Sequence, residues 1–91
     1  MKLYSIKPNK APIYAIYYDA RDDKEIADYL KAKLCGLFLD PDDRHIILYA
    51  GTEHELEAYP GEWIVIFAGT VFKTFSHSDF VYTFNLERVE N

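Results

Sequence analysis

The chain has 91 residues, of which 49% are hydrophobic and 16% aromatic. It is too short for two independent cores and too apolar for a disordered chain, so we expect a single domain over residues 1–91. The formal net charge is −5, and residues 19–57 carry eleven acids against five bases. This balance argues against direct binding to nucleic-acid phosphates and favours a protein partner with a basic surface. No segment has the apolar length of a secretory signal or a membrane span, so the predicted location is the cytoplasm.

Two strands are predicted at the start of the chain, over residues 2–7 and 13–19, because both stretches are rich in Ile, Leu and Tyr and are separated by turn-forming residues. In the second stretch both alternating sets are apolar. This pattern is typical of a central strand that is covered on both faces.

One long helix is predicted from Asp23 to Cys35. Asp22 and Glu25 have the spacing of a capping box at its start, and Gly36 is placed to end it. Apolar residues recur along one face at the period of a helix, so this helix is expected to pack on the sheet. Cys35 is the only cysteine, and its apolar surroundings favour a buried thiol over a reactive nucleophile.

Short apolar runs separated by turns predict four or five antiparallel strands in the rest of the chain. The runs occupy residues 37–39, 45–50, 53–59, 64–68 and 71–75. Ser78 and Asp79 are predicted to cap a short helix that runs through Phe84, and residues 86–89 are predicted to form an edge strand. The predicted fold class is therefore α+β: an antiparallel sheet of four to six strands, one main helix packed on it, and a short C-terminal helix or turn.

Two groups of side chains invite a metal-site hypothesis. The first is Asp40, Asp42, Asp43 and His45, and the second is Glu53, His54 and Glu55. The first group lacks the Gly and the terminal Glu of a calcium loop, and strand alternation would place the second group on opposite faces. A solvated acidic surface is the favoured interpretation, and no metal or cofactor is predicted.

No catalytic motif is found, and the chain is not predicted to be an enzyme. Residues 76–79 contain the residue types of a nucleophilic triad, but contiguous residues in a turn do not place a base against a nucleophile. An enzyme that uses His45 or His77 is kept as a minor alternative.

Two features favour a binding function. Glu53, Glu55 and Glu57 are predicted to share the solvent face of one strand, which would form an acidic surface. Tyr59 and Trp63 flank a turn, where full burial is difficult, and such aromatic residues anchor interfaces and ligand pockets. The alternative interpretations are an ordinary soluble face for the acids and core packing for the aromatic residues.

Most of the chain resembles a group of short proteins, found mostly in bacteriophages and prophages, that carry a motif of the type Pro-Gly-Asp-Tyr-Gly. The matching elements are residues 13–18, 26–34 and 46–51, the corner Pro60-Gly61-Glu62-Trp63-Ile64-Val65, Gly69, and Asp79-Phe80. The resemblance implies a phage or prophage setting more than a particular chemistry.

The leading hypothesis is a non-enzymatic phage or prophage accessory protein that binds, and inhibits or modulates, a host or phage protein. Two alternatives stay open: a protein that sequesters a small ligand or nucleotide signal, and an acidic mimic of nucleic acid. An aromatic-rich edge strand in so small a domain also makes a homodimer reasonable.

Overall fold

The structure is a computed structural model that describes residues 1–6, 13–34, 36–67 and 71–84. These residues form seven strands, a 3₁₀ turn and two α-helices. In chain order the elements are β1 (Tyr4–Ser5), β2 (Ile13–Tyr17), the 3₁₀ turn (Ala20–Asp22), α1 (Asp23–Lys31), β3 (Phe38–Leu39), β4 (Ile46–Leu48), β5 (Leu56–Ala58), β6 (Trp63–Phe67), β7 (Val71–Phe75) and α2 (His77–Phe84). The predicted α+β class, with an antiparallel sheet of four strands, a main helix and a short C-terminal helix, is confirmed.

The larger sheet has four antiparallel strands in the order β1-β2-β6-β7. The central position predicted for β2 is correct, since β2 pairs with β1 on one side and with β6 on the other. Its register places Ala15 opposite Val65 and Ile16 opposite Ile64. Ala15 and Ile16 are both buried although they point to opposite faces, so the sheet is covered on both sides.

The smaller sheet has three antiparallel strands in the order β3-β4-β5. Ile47 is the register partner of Phe38 on one side and of Glu57 on the other. The division of the strands between two sheets is a finding that local patterns did not predict, because it depends on which distant strands pair.

Two hydrophobic clusters lie on opposite faces of the four-stranded sheet. The larger cluster joins this sheet to α1 and to the inner face of the smaller sheet, through Ile16, Tyr18, Ile26, Leu30, Ile46, Leu48, Ala58, Ile64, Ile66 and Phe72. The second cluster lies between the sheet and α2, and its buried members are Ile6, Ala15, Trp63, Val65 and Phe80. Burial on both faces fixes the positions of both helices.

Helix α1 begins at Asp23, as predicted, and buries Ile26 and Leu30. The predicted capping box is wrong: the Asp22 side chain makes no capping hydrogen bond. Instead the Met1 ammonium lies 3.0 Å from a Glu25 oxygen and 3.6 Å from an Asp22 oxygen, because a full positive charge attracts both carboxylates. The helix ends at Lys31, before the predicted end at Cys35, which lies outside the described residues.

Helix α2 begins one residue before the predicted caps. The Asp79 backbone N–H donates to Ser76 Oγ at 3.1 Å, so Ser76 is the N-cap, and the prediction that Ser78 and Asp79 cap the helix is wrong. Phe80 holds the helix on the sheet, since its ring stacks on Trp63 with 4.0 Å between centroids.

The strand predicted over residues 53–59 is shorter than expected, because β5 begins only at Leu56. Glu53 and Glu55 belong to the preceding turn, so the prediction that they share one strand face with Glu57 is wrong. The turn is closed by the Glu55 carboxylate, which accepts a hydrogen bond from the Gly51 backbone N–H at 3.0 Å.

The strand predicted over residues 86–89 lies outside the described residues. Neither of the two described helices has the length and apolar character needed to cross a membrane.

Candidate functional site

The face of the smaller sheet that points away from the core carries aromatic, apolar and acidic side chains. Strand alternation puts Leu39, Ile46 and Ala58 on the core side, and their neighbours on the other side. We call this second side the outer face, and define it by Phe38, His45, Ile47, Glu57 and Tyr59. Phe38 is 50% exposed and Tyr59 is 41% exposed, which makes them accessible aromatic residues on a rigid scaffold.

His45 lies at one end of the outer face and is only 7% exposed. Its Nδ1 is hydrogen-bonded to the Asp43 carboxylate, and its Nε2 lies 3.1 Å from Glu57 Oε1. One side of the ring is covered by Tyr59, with 4.8 Å between ring centroids and 17° between ring planes. The imidazole is therefore fixed at both nitrogens and on one face.

The surroundings of His45 favour its charged form. The hydrogen bond to Asp43 raises the pKa of His45 above its usual value, aided by the nearby charges of Glu57 and Asp40, while burial opposes the shift. The same hydrogen bond lowers the pKa of Asp43. An imidazolium donates from both ring nitrogens, so it alone satisfies both carboxylates at once.

The loop between β3 and β4 positions this histidine. Asp40 accepts a hydrogen bond from the Asp42 backbone N–H at 2.8 Å, and Asp43 accepts one from the His45 backbone N–H at 3.1 Å. Arg44 adopts a positive φ of 61°, which lets the chain turn back into β4. These local hydrogen bonds explain why an acid-rich sequence forms an ordered turn here.

Tyr18 anchors the loop to the larger sheet. Its side chain is fully buried, and its hydroxyl donates a hydrogen bond to the Arg44 carbonyl oxygen. Burial, together with the charge of Asp23, raises the pKa of Tyr18 to about 12. The backbone of Arg44, the residue before His45, is thus anchored to the core by a hydrogen bond from the neutral Tyr18 hydroxyl.

A metal ion could be held only by a small set of these groups. Within the described residues, Asp40, Asp43 and His45 bring ligand atoms within 4.8 Å of one another, and Asp42 does not join them. The hydrogen bond between His45 and Asp43 accounts for their proximity without an ion. The other predicted group does not converge on one point. His54 Nε2 lies 3.5 Å from Glu53 Oε1 at the exposed turn, whereas the Glu55 carboxylate accepts a hydrogen bond from the Gly51 backbone N–H.

Trp63 lies apart from the outer face. It is 8% exposed and packs beneath α2, where its indole N–H donates to His77 Nδ1 at 3.1 Å. Its ring also makes edge contacts with Tyr4 and Tyr17. Of the two aromatic residues singled out from the sequence, the structure leaves only Tyr59 accessible.

Residues 76–79, which contain the residue types of a nucleophilic triad, make structural contacts. Ser76 caps α2 and His77 accepts from Trp63. No nucleophile–base hydrogen bond forms between them in the described contacts.

A groove of about 810 Å³ lies at the other end of β5, between the turn that precedes this strand and the edge of β7. The turn contributes Glu53 and Glu55, and β7 contributes Val71 to Thr74. Two of the three predicted acids therefore line this groove, and the third, Glu57, belongs to the outer face.

Phe38 and Ile47 were missed as binding candidates in the sequence, and His45 was considered there only as a metal ligand or a catalytic residue. Ile47 lies between Ile46 and Leu48, so strand alternation places it on the opposite side of β4 from these two residues. This apolar residue on the second side of the strand could have indicated an exposed apolar face. The pairing of His45 with Glu57 and Tyr59 was not readable, because it depends on the register between β4 and β5.

The corner that carries the Pro-Gly resemblance is a tight turn joining β5 to β6. Gly61 has a φ of 95°, and the Glu62 carboxylate accepts from the Tyr59 backbone N–H at 2.8 Å. The corner thereby fixes the backbone of Tyr59 at the edge of the outer face.

Comparison of the whole chain with known proteins finds no matching family model, no matching curated protein and no matching solved structure.

Proposed function

We propose that this chain is a small phage or prophage accessory protein that acts in the cytoplasm, without catalysis, by binding a host or phage protein through its outer face. The phage setting rests on the sequence resemblance described above. The observation that supports the binding function is that two accessible aromatic residues, Phe38 and Tyr59, lie on the same sheet face as His45 and Glu57. The Asp43 carboxylate of the adjoining loop bonds to the same histidine.

The composition of the outer face is that of an interface centre. Aromatic side chains with restricted motion supply much of the binding energy in protein complexes, and charged groups around them select the partner. Phe38 and Ile47 supply apolar area, and Tyr59 adds a hydroxyl group to its ring. The backbone of all three is held by strand pairing or by the Pro-Gly corner, so little order must be gained on binding.

The charge of the outer face favours a partner that presents Arg or Lys. Glu57 and Asp43 each have exposed carboxylate surface although they bond to His45. An arginine that stacks on an aromatic ring while facing a carboxylate satisfies both features at once.

The two alternative functions receive less support from the geometry. Phosphates of a nucleotide signal would meet acids on the outer face and in the groove, which repel them. A mimic of nucleic acid needs free carboxylates in a row, but several acids here are engaged with bases, such as Asp19 with Arg21 and Asp23 with Arg44.

Affinity capture from a bacterial lysate tests the proposal with three immobilised proteins. These are the wild type, the double variant Phe38→Ala with Tyr59→Ala, and the control Tyr82→Ala, which changes an 87% exposed residue on α2. A protein enriched by the wild type and by the control, but at least about tenfold less by the double variant, supports the outer face, since each lost anchor costs more than about 1 kcal/mol. Equal capture by all three proteins, or no enriched protein, would overturn it.

A further inference from the structure

Two strand edges face each other across the groove without pairing. β7 is hydrogen-bonded to β6, and β5 to β4, but within the described part of the chain no ladder joins β5 to β7. Some of their Cα atoms nevertheless approach within 8 Å. The groove of about 810 Å³ is lined by the turn that precedes β5, by Leu56 at the start of β5 and by Val71 to Thr74 of β7.

The groove has an apolar floor and one acidic wall. Its floor includes Phe72 and Tyr49, whose rings meet edge to face at 6.4 Å between centroids, together with Leu56. The acidic wall is the turn with Glu53 and Glu55. Because the Gly51 backbone N–H holds one Glu55 oxygen, this carboxylate has a defined position with a second oxygen left to meet a ligand.

We propose that this groove binds an extended, basic segment of a partner protein, which adds a strand beside β7 and directs Lys or Arg side chains at Glu53 and Glu55. An edge strand offers backbone N–H and C=O groups that an extended chain can pair with. Glu53 and Glu55 outnumber Lys73, the one lysine of the groove lining, so in a chain of net charge −5 the groove favours positive side chains. This site shares no residue with the outer face.

A second copy of β7 fits the edge less well. Lys73 lies at the middle of the five-residue strand β7, so two β7 strands paired symmetrically would bring two lysines together. Like charges at such positions are destabilising. A basic segment from a partner avoids this repulsion by placing its charges toward the acidic wall rather than opposite Lys73.

Three synthetic peptides test the inference by titration. The first is an acetylated and amidated octapeptide of alternating Thr and Lys, the second replaces every Lys by Glu, and the third is the Lys peptide with alternate backbone nitrogens methylated, which prevents strand pairing on one edge. The proteins are the wild type, the double variant Glu53→Gln with Glu55→Gln, and the control Asp28→Asn, which removes an exposed acid from α1. Gln keeps an oxygen that can accept from Gly51, so the turn is preserved.

The Lys peptide should bind the wild type and the control equally and the double variant about fivefold more weakly, as expected for two exposed charge pairs. The Glu peptide should not bind, and methylation should weaken binding about tenfold, which corresponds to roughly 1.4 kcal/mol.

Three results would each overturn the inference: no binding of the Lys peptide to the wild type, equal binding of the Lys peptide to the wild type and the double variant, or no effect of methylation. So would a dimer in sedimentation that the Lys peptide dissociates, because a second copy would then occupy the groove. The double variant Phe38→Ala with Tyr59→Ala should leave peptide binding unchanged. The peptide titration therefore tests the groove independently of the outer face.

Discussion

The imidazole of His45 lies almost parallel to the ring of Tyr59, with 4.8 Å between their centroids. This stack joins the loop after β3 to the Pro-Gly corner after β5, in addition to the contact between His45 and Glu57. It also keeps Tyr59 at a fixed position on the outer face while leaving part of its surface accessible.

The protonation of His45 should make the stability of the fold depend on pH. The pKa of His45 is raised above 6.5 in the folded protein by Asp43 and by the charges of Glu57 and Asp40. The folded state thus holds the proton more tightly than the unfolded state, so this stabilisation is fully present below pH 6.5 and is lost as pH rises through the folded pKa. Urea unfolding at several pH values between about 5.5 and 8.5 should show this decline in the wild type.

The matched comparison is His45→Gln against His54→Gln. His45→Gln should remove most of the decline, whereas His54→Gln, at the exposed turn, should keep it. The same pH profile in the wild type and in His45→Gln would contradict the bracketing of the imidazole by two carboxylates.

Tyr18→Phe should destabilise the protein by about 1–2 kcal/mol. The variant keeps the ring in the core but removes the hydroxyl that donates to the Arg44 carbonyl, and an unpaired partly buried acceptor carries a cost of this order. Chemical denaturation measures the change, with Tyr82→Phe on the exposed side of α2 as the control. Equal stability of the two variants would mean that Tyr18 does not anchor the loop.

Gly36→Ala should cost more than Gly51→Ala. Both glycines have positive φ, 72° and 80°, so each alanine adds about 1–2 kcal/mol of backbone strain. At Gly36 the new Cβ would also lie 3.0 Å from the Ala50 carbonyl oxygen, whereas at Gly51 it would meet nothing within 4 Å. Thermal unfolding of the two variants isolates the steric contribution, and a larger loss for Gly51→Ala would contradict the close approach of Gly36 to Ala50.

Ser76→Ala should destabilise the protein by about 1 kcal/mol, because Ser76 Oγ accepts from the Asp79 backbone N–H at the start of α2. Ser78→Ala is the matched control and should change stability by less than about 0.5 kcal/mol. Urea unfolding distinguishes the two positions. A larger effect at Ser78 would restore the cap predicted from the sequence.

The sequence predicted those features that depend on neighbouring residues. The acids before α1 marked its start, the two-sided apolar pattern of β2 marked a central strand, and the Pro-Gly corner was recognised as a turn. The end of α1 was predicted too late, because after Lys31 the chain forms a tighter turn in which the Lys33 backbone N–H donates to the Leu30 carbonyl oxygen. The predicted capping box was wrong, since Glu25 pairs with the Met1 ammonium.

The candidate site was predicted only in part, because it depends on distant pairings. Tyr59 and Glu57 were selected, but Phe38 and His45 join them only through the register of β3, β4 and β5. Trp63 was selected for its place beside a turn, yet strand alternation directs it under α2, where Phe80 covers it. An aromatic residue at a corner can therefore point into the core when the next strand is covered on both faces.

Photocrosslinking in bacterial cells tests the outer face most directly. A benzoylphenylalanine in place of Phe38 puts a reactive group on the edge strand of the outer face, and the same residue in place of Tyr82 puts it on α2. The account predicts a discrete covalent adduct with another protein from position 38 and none from position 82. Equal adducts from both positions, or none from position 38, would contradict it.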